Sequence, residues 1–242
     1  MKEIDAQGLH YRSLNKRLRG LIEEGERHIL VRNVCGQRYI GDGIGGDVDI
    51  IIEGVPGNDL ASFMDGPRII VRGNAQDGVG NTLNRGEVII HGDAGDIVGY
   101  SMRGGRIFIQ GNVGYRVGIH MKAYKEFFPV VIVGGGARDF LGEYMAGGLL
   151  VILGLNGEEI AGDFVGTGMH GGAMFLRGEV ETARLGKEVK IGEVTAQDIS
   201  LLRGHIGDFC ACFDLDVEKV FQKPFSKIYP YSHRPYGTIY AY

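Results

Sequence analysis

The chain has 242 residues, a 44% apolar composition and a formal net charge of −4, which is ample material for a continuous core and argues against disorder. No block of lysine or arginine forms a stripe able to neutralise a phosphate backbone, so nucleic acid is not an expected partner. The longest near-apolar run, residues 147–155, is far short of the roughly 20 residues that cross a bilayer, and the opening Met-Lys-Glu-Ile-Asp lacks the segments of a secretory signal, so neither membrane nor export is expected and the expected location is the cytoplasm.

Glycine is the anomaly. There are 42 glycines and only 6 prolines, a glycine share more than twice the roughly 7% of ordinary proteins and without a Gly-X-Y period, so the glycines read as periodic structural positions. Cys35, Cys210 and Cys212 are an odd number without framework spacing and read as reduced thiols.

In chain order, Ser13 predicts the N-cap of a helix with Leu14, Leu18, Leu21 and Ile22 on one face and a stop at Gly25. Residues 28–34 read as a strand leading into an irregular first coil at 41–46. There Gly41, Gly43 and Gly46 have the spacing of a dinucleotide site, but residues 48–52 read as a strand. The helix whose N-terminus would hold a pyrophosphate is missing, and the Rossmann reading is rejected.

From residue 54 onward the chain repeats. Register glycines stand at Gly54, Gly73, Gly92 and Gly111, each 19 residues after the last, then at Gly135, Gly154 and Gly178 after steps of 24, 19 and 24. The longer steps are one period with five residues inserted, so seven coils share one frame. Residues four and two before each register glycine are apolar: Ile50/Ile52, Ile69/Val71, Val88/Ile90, Ile107/Ile109, Val131/Val133, Leu150/Ile152 and Met174/Leu176. That is the period of a strand with one buried face. The residue just before the glycine (Glu53, Arg72, His91, Gln110, Arg177) is assigned to solvent.

A second inward column is Leu60, Val79, Val98, Val117, Leu141 and Val165, and a third is Met64, Leu83, Met102, Met121, Met145 and Met169. The methionines read as unbranched fillers of a stacked core rather than metal or redox ligands. Gly95 and Gly99, like Gly114 and Gly118, complete a Gly-x-x-Gly-x-x-x-Gly pattern and read as corners. Asn74, Asp93 and Asn112 follow the register glycine, where stacked side chains satisfy turn backbone groups. At about 4.8 Å per coil, seven coils make a rod on the order of 30 Å long.

The first insertion, 122–128, carries Tyr124, Phe127 and Phe128 in a loop, as a contact patch or folded back on the body. Thr195 and Asp198 form a capping-box pattern ahead of Ile199, Leu201, Leu202 and Ile206, and a second helical stretch begins near Asp216. The stretch 223–242 holds Tyr229, Tyr231, Tyr236, Tyr240 and Tyr242 among Pro224, Pro230 and Pro235, and reads as an extended tail, either wrapped on the body or a partner or left exposed. The expected division is 1–33 as a helix and strand cap, 34–192 as the repeat domain, and 193–242 as a helical cap and Tyr-rich tail. The seven histidines never pair at ligand spacing, and no nucleophile elbow or Walker loop occurs. No catalytic, cofactor-binding or metal-ligating residue is assigned.

These columns, most clearly in residues 92–105 (GDAGDIVGYSMRGG) and 143–154 (EYMAGGLLVILG), resemble the Gly-x-Gly-x-Gly repeat domain at the C-terminal end of the glutamate synthase large subunit, which in some prokaryotes is a separate short protein. The resemblance covers roughly residues 34–180. It implies an all-β solenoid, a right-handed parallel β-helix of about seven coils with short helical caps at both ends, and a non-catalytic, structural part in converting glutamine and 2-oxoglutarate to glutamate. Since no cysteine follows Met1 and no flavin barrel or iron–sulfur cysteine cluster is present, FMN, the iron–sulfur cluster and the amidotransferase nucleophile are expected on partner subunits, an FMN-containing synthase and a glutamine amidotransferase. The same repeat occurs in the glycine-repeat subunit of formylmethanofuran dehydrogenase, which is the alternative. An independent polysaccharide-active β-helix enzyme is a second alternative, disfavoured by the lack of a secretory signal and of a groove of acidic and basic residues. Self-association stays open.

Overall fold

A fixed frame of inward apolar residues is satisfied when each strand lies on its counterpart in the preceding coil. The computed structural model, which describes residues 1–157 and 159–231, has this arrangement. Strands β1 (Lys2–Asp5), β2 (His28–Cys35), β3 (Asp49–Val55), β4 (Asp65–Arg72), β5 (Arg85–Ile90), β6 (Arg106–Ile109), β7 (Val130–Val133), β8 (Ala146–Ile152) and β9 (Gly171–Arg177) are parallel neighbours in chain order. Ile50 pairs with Ile69, Val88 with Ile107, Ile107 with Val131, and Leu150 with Met174, so the register glycines do mark one frame through both insertions. All three inward columns are fully buried, and Pro56, Ala75, Ala94, Val113, Ala137 and Ala161 add a fourth column of small residues. The protein is a β-solenoid of about seven turns.

The repeat starts earlier than the glycines suggest. Ile29 pairs with Ile50, making the irregular first coil a 21-residue turn with Ile40 and Ile44 in the inward columns. β1 adds one more parallel strand, with Ile4 opposite Val31. Helix α1 (Tyr11–Glu23) covers this end through Leu14 and Leu18. Its cap is His10, whose ring nitrogen accepts from the Arg12 N–H, rather than Ser13. The helix starts earlier because an extended residue with a ring acceptor precedes it, and Ser13 falls inside the first turn. At the far end the chain leaves the solenoid. β10 (Val189–Gly192) and β11 (Phe225–Pro230) extend the sheet, β11 antiparallel to β9 and β10 antiparallel to β11, while Val189 and Ile228 close the core. β11 is the first part of the predicted tail, laid on the body; Pro235, Tyr236, Tyr240 and Tyr242 lie outside the described residues.

The outward face of the sheet departs from its expected exposure to solvent, because only its margins are wet. Helix α2 (Ala196–Phe213), which begins at the predicted Thr195–Asp198 capping box, lies along that face instead of closing the last coil, and α3 (Val217–Val220) follows it. Asp198 meets Lys227 at 2.8 Å, Phe209 meets Phe108 with ring centroids 5.8 Å apart, and Phe213 meets His91 at 5.0 Å. The match is geometric: a helix turn of 3.6 residues rises about 5.4 Å, close to the ~4.8 Å between strands, so Leu202, Ile206, Phe209 and Phe213 advance along successive strands. Beneath them Ile89, Phe108, Ile132, Val151 and Phe175 form a second buried core, which each fully buried phenylalanine stabilises by about 1.5–3 kcal/mol.

Alternating charges run along the margins. Glu3, Arg32, Glu53 and Arg72 form one ladder with contacts of 3.5, 3.4 and 3.1 Å. Arg68, Glu87 and Arg106 form another at 2.8 and 2.9 Å, ending on Asp208 of α2. Each exposed pair contributes little, but a one-coil mispairing would place like charges opposite each other.

Gly111 tests the close stacking. A Cβ there would lie 2.1 Å from Asp93 Oδ1 and 2.9 Å from the Gly92 backbone, so Gly111→Ala is expected to lower unfolding stability in urea by about 1–3 kcal/mol. Gly204→Ala, on the exposed side of α2 with nothing within 4 Å, should raise it by about 1 kcal/mol. Burial holds the His91 and His205 imidazoles below the ordinary histidine range, helped by Arg72 and Arg106. The unfolded chain therefore binds more protons below about pH 6.5, and this contribution, fully present above that value, is lost as the pH falls. Thermal midpoints between pH 7.5 and 5.5 should fall, and fall less in the double variant His91→Gln, His205→Gln.

Candidate interaction surface

The face opposite the sheet is built from an unusual backbone. From just before the second inward column to just before the third, every other residue is left-handed: Ile97, Gly99 and Ser101 in one coil, Arg116, Gly118 and His120 in the next, then Phe140, Gly142 and Tyr144, then Phe164, Gly166 and Gly168. The alternation turns successive N–H groups in opposite directions along the rod. The central glycine donates backward, Gly99 to Val79 O and Gly118 to Val98 O, both at 2.8 Å. Its flanking residues donate forward, Ser101 to Ile119 O at 2.9 Å and His120 to Glu143 O at 3.0 Å. A left-handed non-glycine residue costs roughly 1–2 kcal/mol, comparable to the roughly 1–3 kcal/mol of a buried N–H left unpaired. The hydrogen bonds between coils hold the strain in place.

This backbone projects side chains outward in rows at coil spacing. In one row the Arg116 guanidinium lies 4.5 Å over the Phe140 ring, which stacks on Phe164 at 4.9 Å and 12°. In the parallel row His120 stacks on Tyr144 at 5.3 Å and 9°, with Tyr100 edge-on to His120. Glu143 joins the rows through Arg116 at 3.2 Å. Phe164 remains 53% exposed, an apolar load that the folded chain leaves in water. The insertion at 122–128 leaves the coil directly after Met121 of the third inward column and divides between its two predicted roles. Phe127 folds back toward Gly104 and Arg85, while Tyr124 and Phe128 stay exposed. These rings form the candidate interaction surface.

The glycines singled out in the sequence take two roles. Gly92, Gly95, Gly111, Gly114 and Gly135 sit where a Cβ would strike the coil beneath, and at Gly95 and Gly114 the obstacle is the Oδ1 of Asp77 or Asp96. Gly99 and Gly118 are left-handed, as are Gly54, Gly73, Gly154 and Gly178. The carboxylates and amides of the corners are ladders. Asn74 Oδ1 accepts from Asp93 N–H, Asp93 from Asn112 N–H and Asn112 from Gly136 N–H at 2.9, 2.7 and 2.8 Å, as the stacked-turn reading expects. A second ladder, Asp77 to Asp96 to Tyr115, was not anticipated, though the 19-residue spacing of two aspartates carried its signal.

Among the described residues no three histidine, cysteine or acidic side chains converge to hold a metal. Cys210 and Cys212 belong to the last turn of α2, where burial pushes both thiols up, opposite to the activation of a nucleophile. Gly41 and Gly43 are left-handed residues of the first coil, and strand β3 follows them. No helix among the described residues is long and apolar enough to cross a membrane.

An uncharacterized protein of Methanocaldococcus jannaschii is 48% identical to this chain over 98% of its length and 95% of the relative's. The family defined by the GXGXG motif matches residues 18–231, from within α1 to just past β11, and so takes in every coil strand from β2 to β9 together with β10, β11 and both C-terminal helices. The chain therefore belongs to the GXGXG motif family, the glutamate synthase type of glycine-repeat domain.

Proposed function

We propose that the chain is a non-catalytic structural subunit of a glutamate synthase-type complex, docked by its aromatic face to the subunits that convert glutamine and 2-oxoglutarate to glutamate. The family match over nearly the whole chain carries this reading. The exposed Phe140–Phe164 and His120–Tyr144 rows support it, because rigid aromatics on a hydrogen-bonded scaffold lose little entropy on association. FMN, the iron–sulfur cluster and the amidotransferase nucleophile belong, on this proposal, to the partners.

The test is affinity purification of the tagged chain from its native cells, with mass spectrometry and an absorbance scan. A flavoprotein synthase and an amidotransferase at near-equal ratio are expected. Phe164→Asn combined with Phe128→Ser should abolish their recovery while lowering stability by no more than about 1.5 kcal/mol, the size of the lost stack on Phe140, since both rings are exposed and asparagine tolerates the left-handed backbone of residue 164. Recovery of molybdenum- or tungsten-enzyme subunits, or of a lone colourless chain, would contradict the proposal.

A further inference from the structure

At the N-terminal end of the rod, α1 and the first coil enclose an open cleft of about 590 Å³, lined among others by Tyr11, Arg12, Lys16, Arg19, Tyr39 and Asp42. That volume lies within the range of small-molecule sites. Arg12, Lys16 and Arg19 recur at i, i+4 and i+7, so they project from one face of α1 over about 10 Å.

Two carboxylates, Glu23 and Asp42, share the lining and Asp42 feels the charge of Arg19, but the three helix cations outnumber them and, among the described residues, none is held in a direct ion pair. Eight arginines along the rod lie within 4.0 Å of a carboxylate. Among the described residues Arg12, Lys16, Arg19 and the adjacent Arg38 have no such partner; Arg19 donates to the Asp42 carbonyl, and Arg38 lies 5.3 Å from the Tyr11 ring and 6.0 Å from the Tyr39 ring. A chain of net charge −4 thus keeps an excess of cations over carboxylates around this cavity, with two tyrosines at one end, their centroids 5.8 Å apart.

Gly20 adds an independent observation. It lies inside α1, lines the same cleft, and a Cβ there would meet nothing within 4 Å. Glycine in a helix interior costs about 1 kcal/mol relative to alanine, and packing gives no reason for it; its effect is to keep the wall of the cleft clear.

We propose that this cleft binds a phosphate-bearing small molecule with a planar ring, of the size of a nucleoside diphosphate. The helix cations take the phosphates, with the arginines offering paired donors, and the ring lies against Tyr39. The site is separate from the aromatic interaction surface and does not depend on the partner reading.

Isothermal titration calorimetry of the full chain at low salt, with ADP and separately with inorganic pyrophosphate, tests it. Saturable one-to-one binding of both is expected, tighter for ADP. Lys16→Glu, at an exposed side chain, should weaken both at least tenfold, and Tyr39→Asn, which keeps a left-handed-tolerant residue, should weaken ADP alone. The proposal is overturned if neither probe binds saturably, if Lys16→Glu leaves binding unchanged, if ADP binds no tighter than pyrophosphate, or if a labelled hexaglutamate peptide competes at lower concentration than ADP, which would make the cleft a docking patch for an acidic segment.

Discussion

The hydrogen bond from one coil to the next is the constraint on which the rest of this molecule depends. In a sheet that demand is met by ordinary extended backbone. On the opposite face of the solenoid it is met by alternating left- and right-handed residues, with N–H groups reaching both ways, from Gly118 back to Val98 and from His120 on to Glu143. Once these bonds are required, the coils must stack at about 4.8 Å everywhere, and that spacing sets what each position tolerates. Gly92 and Gly111 have no room for a Cβ above the preceding backbone, the Asn74–Asp93–Asn112 ladder fills the corner, and methionines stack in the core.

The same spacing governs the outside. Opposite charges alternate along the margins, rings stack between Phe140 and Phe164, and α2 fits because its rise per turn is close to one coil. The scaffold is wrapped on one side by its own helix and left with exposed aromatics on another. That asymmetry links fold to function: a surface already covered is not free for a partner, and rigid exposed rings are suited to one.

The coil frame was legible because inward columns repeat residue by residue, and the glycine spacing survives two insertions. The second core was legible but unread. β6, β7 and β8 read IFI, VVIV and LLVI, apolar on both faces, which is the pattern of a strand buried on two sides. The left-handed alternation was not legible, since a conformation that favours glycine is adopted here by Ile97, Arg116, Phe140 and Tyr144, held by bonds to neighbouring coils that no local pattern reveals. For the same reason the outward rows were missed. Their members come from different residue types, and they become a surface only when the coils are stacked. β1 escaped notice because four residues, with a single buried position among them, carry too little alternation.

Hydrogen–deuterium exchange resolved to single amides tests the central claim most directly. If coil-to-coil bonding holds the left-handed face, the amides of Gly99, Ser101, Gly118 and His120 will exchange as slowly as those of β5 and β6 and open only with the whole solenoid. Exchange of these amides on the timescale of surface loops, while the strands stay protected, would contradict it.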